Sequence, residues 1–431
     1  MNKANHININ KVAFRLLCLL LFLNANGIIY LLFGVTNVAS PFIILCCLVL
    51  LYYGKFRYTD FNDTASVFFL FIMAILAIGT LSALFNFGST NFHFGFLKIA
   101  YREYITGLLI FIVFYLVIRQ KNEVDRVDQL LFIYYLFLAA TMFGLLEPFI
   151  GLRSFYNTWL DQSRTLGLFA NPNETGMQAN FTLALGLGLF LKGRLKLVVA
   201  VVASLVAVLT SISTFSKMAI ITTVLILLFF LLYNLFRMFA QSKQIMNGYF
   251  KMVALFVGIT IFILIPRAEA YIDDMSHGQK RRLNSLFELV LKGKVNNETT
   301  SYRGETFEEA YHLIKRKPLF GYGIHTFSMA GMFKHRTDIG VHNTYLIILG
   351  ESGIFVFILF LWFIWLFFIN GFKYWNAEWS FISLAVLLVF LSFCMSSHNL
   401  LNQKVTIGLM SFLMAFNSPT KEYEEGLVTH R

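Results

Sequence analysis

The strongest constraint in this sequence is a series of apolar runs long enough to cross a lipid bilayer. A helix needs about 20 apolar residues to span the hydrocarbon core. Such runs recur along the 431 residues with polar breaks between them, and 58% of the residues are hydrophobic while only 13% are charged. Because the bilayer core offers no water to backbone groups, spans are helices or closed barrels. The runs lack the alternation of barrel strands, so we predict an all-α, polytopic integral membrane protein.

We predict about twelve spans, each set by the roughly 20 residues that a crossing needs, in a single membrane domain over residues 1–431. The predicted spans lie near 12–34, 40–53, 65–86, 97–118, 128–150, 177–191, 196–212, 218–236, 249–266, 342–369, 379–396 and 403–417. The N-terminal run could pass for a cleaved signal peptide, but the many spans that follow favour a retained first helix.

The basic residues predict the orientation of the chain. Lys and Arg in the short loops concentrate on the side that holds the N-terminus, which the positive-inside rule assigns to the cytoplasm together with the C-terminus. The net charge of +12 is therefore explained without nucleic acid as a partner. The one large polar interval, 267–341, then becomes an outer loop inserted before a late span, and we expect it to contain short helices.

One of these loop helices is indicated by "TTSYRGETFEEAYHLIKRKPLFGYG", which has capping residues, early acids and late bases. With a period of 3.6 residues, Arg303 lies on the same face as Phe307, Ala310, Tyr311 and Ile314. An arginine in an apolar stripe needs an anionic partner. That partner is either a substrate or a structural acid, and a snorkelling side chain is the third possibility.

His342 follows the loop and stands at the start of a predicted span, next to Asn343. Gly353 is expected three helical turns further on, on the same face, where a glycine lets another helix approach closely. The histidine is either a catalytic base or an ordinary interfacial residue. His398, in a later outer turn, is an alternative base.

Two further cations lie at predicted outer helix ends. Arg164 precedes "GLFANPNETG", where Asn173 is a candidate cap and the amides of residues 174–177 could hold an anion. Lys217 ends the Ser/Thr-rich bend "TSISTFSK", and a lysine at membrane depth normally faces a cavity or a partner. An ordinary outer loop and a snorkelling lysine are the structural alternatives.

Together, Arg164, Lys217 and Arg303 beside His342 would suit a diphosphate leaving group and a general base. Such chemistry needs no metal and no cofactor. Asp273 and Asp274 are adjacent acids without a third ligand, so we interpret them as a solvated surface.

The order of "SRTLGLFANPNETG", "TSISTFSKMAI", "YRGETFEEAYHLIKRKPLFGYG" and "HNTYLIILGESG" resembles the bacterial O-antigen polymerase and ligase superfamily over residues 160–370. The most specific piece is His342-Asn343, a gap of nine residues and Gly353, which is similar to the ligase signature. Lys217 stands where the ligases usually carry an arginine. Val356 stands where their signature often ends in a small residue.

The resemblance implies a metal-independent, inverting glycosyltransferase of the C type. Its donor would be an undecaprenyl-diphosphate-linked glycan, used at the outer face of the bacterial inner membrane. His342 would activate the acceptor hydroxyl, while Arg303, Lys217 and Arg164 would bind the diphosphate, supported by Asn343, Asn173 and Gly353. A chain-length regulator and membrane lipid are the further expected partners.

Several functions remain open at this point. A polysaccharide polymerase is the first expectation, with a sugar hydroxyl as acceptor; a ligase would use lipid A-core instead. A protein O-oligosaccharyltransferase is a third member of this set. A lipid-linked oligosaccharide flippase is the alternative from another class, although it would need pseudo-symmetric halves or broken helices near mid-bilayer.

Overall fold

The computed structural model describes residues 3–35, 37–54, 61–86, 94–150, 164–169, 171–240, 279–281, 284–285, 288, 304–328, 341–373, 378–397 and 400–417. These residues form helices and turns and contain no β-strand, which confirms the all-α class. The thirteen named α-helices are α1 Lys3–Phe22, α2 Ala25–Phe33, α3 Ser40–Gly54, α4 Asp63–Phe85, α5 Phe94–Arg119, α6 Glu123–Leu146, α7 Pro172–Leu191, α8 Leu197–Ser213, α9 Lys217–Ala240, α10 Gly304–Arg316, α11 Thr344–Lys373, α12 Glu378–Cys394 and α13 Lys404–Phe416.

Five helices of the described part are long and apolar enough to cross a membrane: α4, α5, α6, α9 and α11. The bent pair α1–α2 raises the number to six if it forms one span. Helices α3, α8, α12 and α13 are apolar but shorter. A membrane protein is thus supported, while the twelve spans and the cytoplasmic termini stay predictions. The predicted span 249–266 and most of the loop 267–341 lie outside the described residues.

The first predicted span is bent instead of straight. Residues 12–34 were expected to form one helix, but the chain turns by 50° between α1 and α2. Asn24 adopts a left-handed φ of 50° and its side chain accepts a hydrogen bond from the Gly27 amide at 3.4 Å. Asparagine tolerates this conformation better than most residues, so it can end one helix and cap the next.

Contacts divide the chain into two compact units. The first contains Met1–Leu136, Arg303–Lys373 and Phe390–Arg431, and the second contains Phe137–Tyr302 and Tyr374–Val389. The prediction of a single membrane domain over residues 1–431 is not tested by this division and stays a prediction.

Aromatic side chains form much of the first unit's core. Phe68 of α4 packs against Phe363 of α11 and Phe111 of α5, each with a ring separation of 4.8 Å. Phe71 of α4 packs against Phe360 of α11 at 5.4 Å. Tilted rings at such distances stabilise a pair by about 0.5–1.5 kcal/mol beyond the buried area. The abundant phenylalanine therefore serves helix packing, and the α4–α11 pair is the frame for the loop described below.

The second unit is held together by polar side chains among apolar helices. Thr141 of α6 and Thr182 of α7 exchange a hydrogen bond of 2.7 Å, and the Thr210 hydroxyl of α8 donates to the Thr141 carbonyl at 3.1 Å. The Thr223 hydroxyl of α9 donates to the amide oxygen of Asn180 on α7 at 2.7 Å. Because these groups are buried, each bond also removes the cost of an unpaired polar atom.

Candidate functional site

The bend that carries Lys217 joins α8 to α9 in the second unit. Thr214 ends α8, Phe215 has a left-handed φ of 47°, and α9 begins at Lys217. The Ser216 amide donates to the Thr214 hydroxyl at 3.2 Å, and the Ser216 hydroxyl accepts from the Ala219 amide at 3.4 Å. Ser and Thr thus satisfy backbone groups at this tight turn. The half-buried Lys217 is thereby set at the head of an apolar helix.

Arg164 is packed against this same bend. It is only 8% exposed, and its Nε donates to the Thr214 carbonyl at 2.8 Å. Its Nη2 donates to the side-chain oxygen of Asn173 at 3.4 Å, and the neighbouring Thr165 amide donates to the Ser213 carbonyl at 3.3 Å. A cation at a helix C-terminus is favourable because it meets the unsatisfied carbonyls there. Arg164 therefore helps to hold the bend that presents Lys217.

The prediction that Asn173 caps α7 is wrong. The helix starts at Pro172, and the side chain of Asn171 accepts the Asn173 amide at 2.9 Å. The Thr175 amide donates to the Asn171 carbonyl at 3.0 Å, so this amide is already used within the helix. Proline at the first helical position makes Asn171 the natural cap. The side chain of Asn173 instead accepts from Arg164, as described above.

Sequence reasoning missed Glu147, which follows the last residue of α6. It is fully buried, and its Oε2 accepts the amides of Leu166 and Gly167, each at 2.9 Å. The Thr175 hydroxyl donates to the Leu166 carbonyl. The carboxylate therefore fixes the turn that follows Arg164. A lone acid within "FGLLEPFIG" was the available signal, because acids at membrane depth are rarely without a role.

His342 stands before the N-terminus of α11 in the first unit. The expectation that it lies in the first turn is corrected, because Asn343 caps the helix: its side chain accepts the Leu346 amide at 3.1 Å, and its carbonyl accepts the Ile347 amide at 3.0 Å. The Thr344 hydroxyl donates to the Ser397 carbonyl at 2.8 Å. The half-buried imidazole thus belongs to the segment that leads into the cap.

The prediction that Gly353 continues the helix on the same face as His342 is wrong. The Gly353 φ of 78° and ψ of −176° break α11, and the Ile354 amide donates to the Pro318 carbonyl at 2.9 Å. A Cβ at this position would meet the carbonyl oxygen of Leu319. A glycine is needed here because the loop backbone, and not another helix, approaches the break.

The segment after α10 inserts between α4 and α11 through backbone hydrogen bonds. The amides of Tyr322, Gly323 and Ile324 donate to the carbonyls of Gly350, Glu351 and Gly79 at 2.8, 2.9 and 3.0 Å. The carbonyls of Gly350 and Glu351 lie at the helix break, and the ordinary partner of the Gly350 carbonyl, the Ile354 amide, donates to Pro318 instead. The inserted segment thus satisfies the broken helix.

A buried polar network continues from this segment and was also missed. Glu351, which is 3% exposed, accepts hydrogen bonds from the amides of Phe327 and Ser328 and from the Ser328 hydroxyl. His325 Nδ1 lies 2.8 Å from the Ser328 hydroxyl oxygen, and His325 Nε2 lies 3.7 Å from Glu103 Oε2 of α5. Burial lowers the pKa of His325, and the Glu103 carboxylate opposes that effect.

The loop helix α10 is present, but Arg303 itself lies outside the described residues. On the predicted face, Ala310 is buried and Phe307 and Ile314 are partly buried in a cluster with Val341. Tyr311 is 52% exposed, so it does not belong to the buried face. The apolar stripe is therefore narrower than predicted: on a 3.6-residue period Phe307, Ala310 and Ile314 lie within about 60° of one another, whereas Tyr311 is turned by about 100° from Ala310.

The structure brings Arg164 to the Lys217 bend within the second unit, and it describes His342 within the first unit. Convergence of the three cations on the histidine stays a prediction. His398, Asp273 and Asp274 also lie outside the described residues.

The described residues are helical and include helices able to cross a membrane, which places the protein in the class of helical membrane proteins. Residues 199–361 match the family described as O-antigen ligase. This match supports the resemblance to the O-antigen polymerase and ligase superfamily that the motifs indicated. No curated protein matches the chain. Family and helices together indicate a glycosyltransferase-like protein of the bacterial inner membrane.

Proposed function

We propose that this protein is a polysaccharide polymerase that transfers a lipid-diphosphate-linked glycan to an acceptor sugar hydroxyl. The supporting observation is the extent of the family match, because residues 199–361 include both the Lys217 bend and the segment with His342. The donor is an undecaprenyl-diphosphate-linked glycan. The reaction takes place at the outer face of the inner membrane.

The proposed chemistry is a single inverting displacement. The acceptor hydroxyl oxygen attacks the anomeric carbon of the donor, and the bond between that carbon and the diphosphate oxygen breaks. His342 takes the hydroxyl proton, and the bonding electron pair leaves with undecaprenyl diphosphate. A neutral imidazole suits this task because its ordinary pKa of about 6.5 lies close to working pH.

The cations have distinct proposed tasks. Lys217 and Arg303 neutralise the diphosphate as it leaves, which is worth most where water is excluded. Arg164 adds positive charge and holds the bend through the Thr214 carbonyl. Lys217 binds as a point charge and lacks the bidentate geometry of an arginine.

A ligase that transfers the finished glycan to lipid A-core is the second candidate. It is favoured by the description of the matching family and by the spacing from His342-Asn343 to Gly353. Polymerase and ligase share donor and chemistry and differ in the acceptor.

Complementation of a deletion strain with His342→Ala tests the proposal, with the glycan ladder on a gel as the readout. Loss of a general base slows transfer by about 10²–10⁴-fold, so the ladder should vanish. A polymerase defect leaves single repeat units on lipid A-core, whereas a ligase defect leaves the core bare. Exposed His312 on α10 supplies the control: His312→Ala should give a normal ladder. A normal ladder with His342→Ala would refute the assignment of the base.

The same assay examines the diphosphate site. Arg303→Ala should lose the ladder, while Arg316→Ala, at an exposed position on α10, should keep it. If the two arginine variants behave alike, Arg303 has no special role in binding the donor.

A further inference from the structure

A buried carboxylate is linked through two hydrogen bonds to the segment that carries His342. Glu351 Oε1 accepts the Phe327 amide at 3.0 Å and the Ser328 amide at 2.9 Å, and the Ser328 hydroxyl donates to it at 2.9 Å. Three donors on one oxygen satisfy a group that would otherwise be costly to bury. The side chain thus holds the end of the inserted loop in place.

The second of these hydrogen bonds reaches the residue that precedes the histidine. The Phe327 carbonyl accepts the amide of Val341 at 3.0 Å, and Val341 immediately precedes His342. Val341 is fully buried, in a cluster with Phe327 and Ile347. The backbone from which the imidazole extends is therefore tied to Phe327, and Phe327 is tied to the carboxylate.

The inserted loop does not need this carboxylate along its whole length. Its first part is held by backbone bonds from Tyr322, Gly323 and Ile324 to the carbonyls of α4 and α11. The Glu351 side chain bonds to Phe327 and Ser328 at the far end of the loop, the end that contacts Val341. Its specific contribution is thus to the placement of the segment before His342.

We propose that Glu351 is a positioning residue for His342, acting through the backbone of Phe327 and Val341. This inference rests on the proposed function, in which His342 is the base. A misplacement of about 1 Å in a reacting group can slow a reaction by 10²-fold. Weakening the hydrogen bond between Val341 and Phe327 should therefore lower the rate of the chemical step more than it lowers the affinity for the donor.

Kinetics of the full-length protein in detergent provide the first test, with lipid-linked repeat unit extracted from cells that lack the protein as the donor. Glu351→Ala should lower kcat by about 10- to 100-fold while the KM for the donor changes little. Glu351→Gln keeps an acceptor oxygen for the two amides and should restore most of kcat. Affinity for undecaprenyl diphosphate should stay near the wild-type value in both variants.

A matched control lies on the same helix. The Asn370 amide donates to the Thr64 hydroxyl of α4 at 2.6 Å, so it also joins α11 to α4, but it does so near the end of α11 opposite to the His342 segment. Asn370→Ala should lower the melting temperature of the protein without a comparable loss of kcat. An equal loss of kcat in Asn370→Ala would overturn the positioning role.

Amide hydrogen exchange gives a readout that is independent of the reaction. In Glu351→Ala the amides of Phe327, Ser328 and Val341 should exchange faster, while those of Tyr322 to Ile324 should keep their protection. Unchanged exchange at Val341, or a Glu351→Ala variant with wild-type kcat, would overturn the inference. If wild-type protein transfers no glycan but Val341 still loses protection, the proposed function fails and the structural link stands.

Discussion

At the scale of single residues, each of the two units buries ionisable side chains whose partners include backbone groups. Arg164 donates to a helix-end carbonyl, and Glu147 and Glu351 each accept two backbone amides. A buried charge is tolerated only where hydrogen bonds replace its hydration. Within its own unit, each of these side chains therefore joins a turn to a neighbouring helix.

Arg164→Ala should destabilise the protein by about 1–3 kcal/mol, because it leaves the buried Thr214 carbonyl without this donor. Arg164→Lys keeps the charge but loses the planar geometry of the guanidinium, so it should recover only part of the loss. The measurement is thermal unfolding in detergent.

Arg194→Ala is the matched comparison for Arg164→Ala, since Arg194 is exposed in the turn after α7. Exposed substitutions usually change stability by less than about 0.5 kcal/mol. Equal melting temperatures for the two alanine variants would contradict the role given to Arg164.

At the scale of elements, the break in α11 determines how the loop is received. The carbonyls at the break accept hydrogen bonds from the loop amides. In the opposite direction, the Ile354 amide of α11 donates to the Pro318 carbonyl of the loop. The broken helix and the inserted segment are therefore complementary, and neither satisfies its backbone alone. This exchange is the reason that a polar loop can pack between apolar helices.

Gly353→Ala should be strongly destabilising. The φ and ψ at this position are accessible essentially to glycine alone, at a cost of order 1–3 kcal/mol for other residues. A methyl group would also meet the backbone of Leu319 and Phe320. Expression level and melting temperature of the purified variant are the measurements.

Gly304→Ala is the control for Gly353→Ala. A Cβ at Gly304, the first residue of α10, meets nothing within 4 Å. This variant should fold as well as the wild type, because alanine is the better helix former. The helix break would not depend on glycine if Gly353→Ala were equally stable.

At the scale of the whole molecule, the apolar runs and the basic short loops govern insertion into the membrane. We expect the C-terminus in the cytoplasm and the interval 267–341 outside, because basic residues of short loops are retained on the cytoplasmic side. Both expectations can be tested in cells, without purification.

Reporter fusions test this orientation. A green fluorescent protein joined after Arg431 should fluoresce, since it folds in the cytoplasm, and alkaline phosphatase joined after Asn297 should be active, since it folds outside. Phosphatase activity at Arg431 together with fluorescence at Asn297 would invert the topology and move the proposed site to the cytoplasmic face.

Residue patterns were sufficient for the helical class, for α10, for the Lys217 bend and for the superfamily. These features depend on local periodicity, capping chemistry and short motifs, which residues close together in the sequence determine. The cap of α7 was misassigned by two positions because Asn171 and Asn173 carry the same side chain. The bend at Asn24 was missed since the apolar pattern continues through it.

The sequence by itself determined that the chain is a helical membrane protein with histidine and basic residues at helix ends. Only the tertiary structure decided that Glu351, Ser328 and His325 form one network and that α11 breaks at Gly353 to receive a loop. The physical reason is distance along the chain: the partners of a buried carboxylate or a broken helix are chosen by packing between distant segments, which no local pattern records.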